Sequence, residues 1–140
     1  MKSSRFQINR SKARRGSTMV ESTLCFLGFM FLSLGLMEFS MAVYAYNFVS
    51  YAARDAARYA SVHGSHSSTP VTADALKTKV RSEAIALTSS NVNVTTTWSP
   101  NNTPGSEVKV VVSYTVVPLI NLALRNSFQV SSTSRMRIAN

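Results

Sequence analysis

Residues 22–37 carry no formal charge, and with their flanks they form an apolar stretch long enough to cross a bilayer. Such a crossing takes ~20 helical residues over ~30 Å, and a helix is required because hydrocarbon leaves no other partner for the backbone N–H and C=O groups. The pattern predicts a transmembrane helix over about 19–41. Two acids, Glu21 and Glu38, bracket its uncharged run. An ionised carboxylate at membrane depth is costly unless it reaches the interface or finds a partner, so both are candidate functional residues.

The chain is basic, at +9 over 140 residues, but Lys2, Arg5, Arg10, Lys12, Arg14 and Arg15 all precede Gly16, and the rest carries only +3. A basic block ahead of an apolar span is a topology signal, because Lys and Arg are retained on the cytoplasmic side. The expected arrangement is a single-pass protein of the inner (cytoplasmic) membrane, with its N-terminus in the cytoplasm and its C-terminal domain outside. It has three parts: a disordered basic leader over 1–16, a long helix over 17–62 capped by Ser17 and Thr18, and an exported domain over 63–140. The lone Cys25 rules out an intrachain disulfide, so packing alone must hold that domain.

A secretory signal would need an Ala-x-Ala-like cut after a shorter apolar run. None occurs before Pro70, and the weaker Ser40-Met41-Ala42 lies beyond a span already too long. A cut ahead of the span, between Gly16 and Ser17, would instead remove the leader and leave the helix as the mature N-terminus. The run Arg15-Gly16-Ser17-Thr18-Met19-Val20-Glu21 resembles the leader junction of type IV pilin-like precursors, where a prepilin peptidase cuts after the glycine and the fifth mature residue is a glutamate. Gly16, Val20-Glu21, Glu38-Phe39, Tyr44-Ala45-Tyr46-Asn47 and Ala52-Ala53-Arg54-Asp55-Ala56-Ala57-Arg58-Tyr59-Ala60 together are similar to the TadE-like proteins of tight-adherence (Flp) pilus systems. Ala56 stands where many such sequences carry glycine.

That resemblance implies a pilin-like subunit, a minor pilin or pseudopilin, processed at Gly16 and Ser17 and assembled through its apolar helix. It implies as partners the membrane, the prepilin peptidase, other pilin-like subunits and the assembly platform, in a homo- or hetero-oligomer. It also implies a role in pilus biogenesis and surface adhesion, with the exported form ending in an extracellular pilus. Independently of any family, cleavage would create a cationic α-amino group at Ser17. Glu21, one helical turn along, can pair with that amine or with a neighbour's, because in a low dielectric the unpaired charges are so costly. Glu21 would then set subunit register.

From Ser17 to about Val62 nothing breaks a helix. Gly28 and Gly35, with Ser33 and Ser40, are small enough to admit a neighbouring helix. At 1.5 Å per residue such a helix runs roughly 68 Å, more than twice a bilayer, so its second half must lie outside. There Tyr44, Tyr46 and Tyr51 suit the interface. Ala52, Ala53, Ala56, Ala57 and Ala60 then make a flat apolar strip for packing against the domain or a subunit, with Ala53 and Ala57 at its centre. Arg54, Asp55 and Arg58 line another face as candidate subunit or domain contacts.

The loop from His63 to Pro70 ends this helix. Thr72 caps a second, amphipathic helix over 73–88, with Ala73, Leu76, Val80, Ala84 and Leu87 as its apolar stripe and Lys77, Lys79, Arg81 and Glu83 on a solvated face. From Asn91 the period becomes two, predicting strands over 92–98, 108–116 and 128–138. The second helix and the exported half of the first should cover their apolar face, giving an α+β, type IV pilin-like architecture with a three-stranded antiparallel sheet. Leu119, Ile120, Leu122 and Leu124 are too apolar for a free loop, so they either pack beneath the sheet, the expected outcome, or form an exposed contact patch for a partner subunit or the membrane surface.

No nucleophile elbow, phosphate loop or dinucleotide fingerprint is present, and His63 and His66 have no nearby ligand to complete a metal shell. Neither enzyme activity nor a cofactor or metal is expected. Two other readings remain. One is an uncleaved, single-span surface interaction protein. The other is an exported nucleic-acid binder using Arg54, Arg58, Lys77, Lys79, Arg81, Arg135 and Arg137, against which the lack of interleaved basic and aromatic residues counts.

Overall fold

The computed structural model describes residues 11–118 and 126–139, the first five of them by their backbone alone. The elements are α1 (Ser11–Val62), α2 (Ala73–Ser82), a 3-10 turn (Ser89–Asn91), β1 (Val92–Ser99), β2 (Glu107–Val116) and β3 (Phe128–Arg137). This is the α+β arrangement that the sequence predicts: a long apolar helix, a second helix and a three-stranded antiparallel sheet. The chain divides into two compact units between Met37 and Glu38, within α1.

In the first unit, α1 is already helical at Ser11, so Ser17 and Thr18 lie inside it and do not cap it. Lys12, Ala13, Arg14 and Arg15 are good helix formers, and only Gly16 opposes continuation. The hydroxyls in the apolar part bond back to the carbonyl one turn earlier: Ser22 Oγ to Thr18 O at 2.8 Å, Thr23 Oγ1 to Met19 O at 2.8 Å, and Ser33 Oγ to Phe29 O at 2.9 Å. Such back-bonding gives each hydroxyl a partner within its own helix.

The second unit has a core built on one stripe of α1. Ala45, Phe48, Val49, Ala52, Ala53, Ala56, Ala57 and Ala60 are all buried, at alternating steps of three and one. They share a cluster with Leu76, Val80, Ala84 and Leu87 and with the sheet valines Val92, Val108, Val110 and Val112. β2 is the central strand, and the register pairs Val92 with Tyr114, Val94 with Val112, Val110 with Ser134 and Val116 with Phe128. Alternation therefore puts Val92, Val94 and Trp98 on the same face as Val108 and Met136, toward the helices. The opposite face carries Thr95, Thr97, Lys109, Thr133 and Arg135.

Three hydrogen bonds mark the ends of this unit. At one, Tyr44 Oη donates to Ile85 O at 2.8 Å, just before the turn that leads into β1. At the other, Ala139 N donates to Ser61 O at 2.8 Å and Ile138 N to Ser106 O at 2.9 Å, beside the β1–β2 connection. That connection contains a cis Ser99–Pro100 bond and Gly105 at φ +88°, a left-handed conformation that disfavours any side chain.

α2 begins as the sequence predicts, with Thr72 Oγ1 accepting from Ala75 N at 3.2 Å, but it stops at Ser82 instead of running to residue 88. Ala86 adopts φ +60°, which no right-handed helix accommodates, yet Ala84 and Leu87 on either side are still buried. The expected solvated basic face of α2 is also corrected. Lys79 and Arg81 turn inward, as detailed below. Leu119, Ile120, Leu122 and Leu124 lie outside the described residues.

Candidate functional site

The predicted functional residues lie along α1 and fall into two groups, one in each unit. Gly16, Ser17, Glu21, Gly28 and Gly35 belong to the first. Of residues 16–37, every one is exposed except the half-buried Ser33. No part of the apolar window of this helix counts as buried among the described residues, and by length and composition the helix is able to cross a membrane. A Cβ added at Gly16, Gly28 or Gly35 would meet nothing within 4 Å. None of the three glycines is therefore explained by packing inside the described chain. Glu21 is exposed on the same helix and forms no ion pair among the described residues.

In the second unit, Glu38 is half-buried. Ala53 and Ala57 are fully buried in the core described above, so they pack the domain's own helix. The trio Arg54, Asp55 and Arg58 separates. Asp55 is turned to α2, where its carboxylate is ion-paired with Lys79 Nζ. The same ammonium reaches Glu83 Oε1 at 2.6 Å and lies 5.5 Å from the Tyr59 ring centroid. Burial alone would lower the Lys79 pKa, but the hydrogen bonds and charges of Asp55 and Glu83 outweigh it and hold the value above that of an ordinary lysine. Arg54 and Arg58 remain exposed, one turn apart, with no ion-pair partner among the described residues.

Arg81 is committed as well: its Nε and Nη2 donate to Val92 O at 3.1 and 3.0 Å, bracing the start of β1 against α2. Lys79 and Arg81 are thus taken from the basic set that a nucleic-acid interface would need. His63 stacks on Tyr59 with ring centroids 4.1 Å apart, its Nδ1 2.9 Å from Tyr59 O. Among the described residues no group of three potential metal ligands occurs.

Sequence reasoning did not find the Lys79 latch or the Arg81 brace. The spacing of Lys79 and Glu83, four apart on one helix, was the available signal for half of the latch. The partnership with Asp55, 24 residues away, has no periodic signature.

Residues 16–58 match the family model described as TadE-like protein. This segment is TadE-like. The match starts at Gly16 and runs past the apolar span to Arg58, so the TadE-like segment takes in both the uncovered helix and most of the buried alanine stripe. Neither a curated protein nor a solved structure matches the chain. The apolar helix within that segment is consistent with a single-pass membrane anchor.

Proposed function

We propose that the protein is a pilin-like subunit, a minor pilin or pseudopilin, of a tight-adherence pilus. α1 anchors it in the inner membrane with the basic leader in the cytoplasm and the unit from Glu38 onward outside. A prepilin peptidase removes the leader after Gly16. The role is structural: the subunit works by assembling with other pilus components and supports pilus biogenesis and adhesion, with no catalysis of its own.

The observation that carries this reading is the TadE-like match beginning at Gly16, with Glu21 the fifth residue from Ser17 on a helix stretch left exposed among the described residues. Gly16 adds support. It sits inside a continuous helix, where glycine is unfavourable by about 1 kcal/mol relative to alanine, and among the described residues it makes room for no neighbour. A backbone weak point is what a protease needs in order to draw a helical chain into its cleft. Once Ser17 is the first residue, its α-amino group lies one helical turn from Glu21, within reach of an ion pair in its own chain or in a neighbour. Gly28 and Gly35 leave shallow places on the same helix where a neighbour's backbone can approach. Arg54 and Arg58, without an ion-pair partner among the described residues once Asp55 pairs with Lys79, supply a cationic subunit contact beyond the membrane.

Sequencing the N-terminus of the mature protein tests the processing step. The expected first residue is Ser17; an intact Met1 in assembled material would sink the cleavage reading and leave an uncleaved surface anchor in its place.

A further inference from the structure

Ile85 is 74% exposed, an unusual position for a large aliphatic side chain in a loop that is otherwise well anchored. Its neighbours Ala84 and Leu87 are both buried. Its carbonyl accepts the Tyr44 hydroxyl at 2.8 Å. The following residue, Ala86, takes a left-handed backbone that a Cβ disfavours. The turn is therefore held from both sides in a strained conformation whose outward-facing member is an isoleucine.

The surroundings share that character. The register pairs Val92 with Tyr114, and Arg81 ties Val92 to the end of α2, so the end of β2 lies at the Ile85 end of the unit. Val117 there is 61% exposed. On α1, Phe39, Met41, Val43 and Tyr44 are exposed where the buried stripe has stopped. Three elements thus present apolar surface at one end. The opposite end, marked by the bond from Ala139 N to Ser61 O, presents Asn101, Asn102 and Thr103.

We propose that the Ile85 end of this unit is a lipid-docking face, with Ile85 and Val117 inserted at the bilayer interface beside α1. The occupant is identified by continuity. The apolar surface around Ile85 joins that of α1 at residues 39–44, and Tyr44 and Tyr46 are the aromatic type that favours the headgroup level. Apolar surface gathered at one pole of a polar domain marks an interaction site. The proposal rests on the reading that α1 spans a membrane. It adds that the domain is held against the leaflet and does not swing freely above it.

The test uses the full chain in phosphatidylcholine vesicles, with an environment-sensitive fluorophore on one cysteine at a time. The natural Cys25 reports on the span. Ile85→Cys and Val117→Cys, each in a Cys25→Ser background, report on the docking face, and Asn101→Cys in the same background reports on the opposite end. Nitroxides on lipid headgroups or acyl chains serve as quenchers. The expected result is a blue-shifted emission at 85 and 117, with headgroup-nitroxide quenching several-fold stronger than at 101, and acyl-chain quenching at 25. Quenching at 25 with 85 and 117 no different from 101 would overturn the docking face while leaving the anchor intact. A blue shift at 85 without lipid quenching would assign the surface to a protein partner and also overturn it. Absence of lipid quenching at 25 would remove the span, and the docking face with it.

Discussion

Asp55 of α1 and Lys79 of α2 are joined by an ion pair that ties the two helices of the second unit together. Both side chains keep about a third of their surface in solvent, 35% and 31%, so screening limits what the pair contributes. Lys79→Met should cost about 1 kcal/mol in denaturant unfolding, since it removes both carboxylate contacts but retains the aliphatic stem. Asp55→Asn should cost somewhat less, because Glu83 still holds the ammonium.

The same pair sets an alkaline limit. Lys79 has a raised pKa in the folded state, so its contribution is present in full below the ordinary lysine value near 10.4 and is lost as pH rises through the folded value. Unfolding midpoints measured across that range should fall for the natural protein more than for Lys79→Met. Parallel curves would show that the latch does not titrate with folding.

Ala56 is fully buried in the middle of the α1 stripe. Ala56→Leu should destabilise the unit by about 1 to 3 kcal/mol, because a close-packed interface cannot admit added methylenes without shifting its neighbours. On the far side of the same core, Leu76→Ala should cost about 2 to 5 kcal/mol by leaving a cavity. Thermal unfolding of each variant in detergent checks both.

Arg81→Met should loosen β1 from α2 at a cost of about 1 to 2 kcal/mol, toward the low end for hydrogen bonds from a charged donor because Arg81 is half-buried. Amide hydrogen exchange should rise first around Val92 and its register partner Tyr114. Unchanged protection there would mean that the sheet holds its own edge.

Glu21→Gln retains the shape and removes the charge. Under the proposed function it should insert in the membrane as before and fail to enter filaments, measured by comparing membrane-fraction and sheared-pilus amounts. Gly16→Ala should accumulate as a longer, uncut form on the same gels. Filament incorporation of Glu21→Gln equal to that of the natural chain would exclude a role for its charge in assembly.

The architecture was legible where burial follows a period. Ala52, Ala53, Ala56, Ala57 and Ala60 announce a helix face that something must cover, and the alternation from Val92 to Trp98 and from Val108 to Val116 announces strands with one apolar side. Periodicity misplaced the end of α2 for a physical reason. Ala84 and Leu87 continue the helical stripe and are indeed buried, but a left-handed turn at Ala86 delivers them to the core as well as a helix would. The stripe records burial, and two backbones satisfy it.

The start of α1 was misplaced for a related reason: Ser17 and Thr18 are good caps, but capping residues do not stop a helix when helix formers precede them. Of the α1 trio, sequence offered Asp55 and Arg58 as near neighbours. The fold turned the carboxylate toward α2 instead, a choice that depends on contacts between segments far apart in the chain. The roles proposed for Gly16 and Glu21 rest on a spaced motif, since among the described residues a Cβ at Gly16 would meet nothing within 4 Å and Glu21 forms no ion pair.

The buried stripe of α1 has a mechanical consequence. From Ala45 to Ala60 its side chains lie in a row along the helix axis, and the sheet and α2 share one cluster with that row. A pull along the axis would load every one of these contacts at once, as shear, whereas a sideways pull would peel them one at a time. A subunit built this way should resist tension along its helix far better than tension across it.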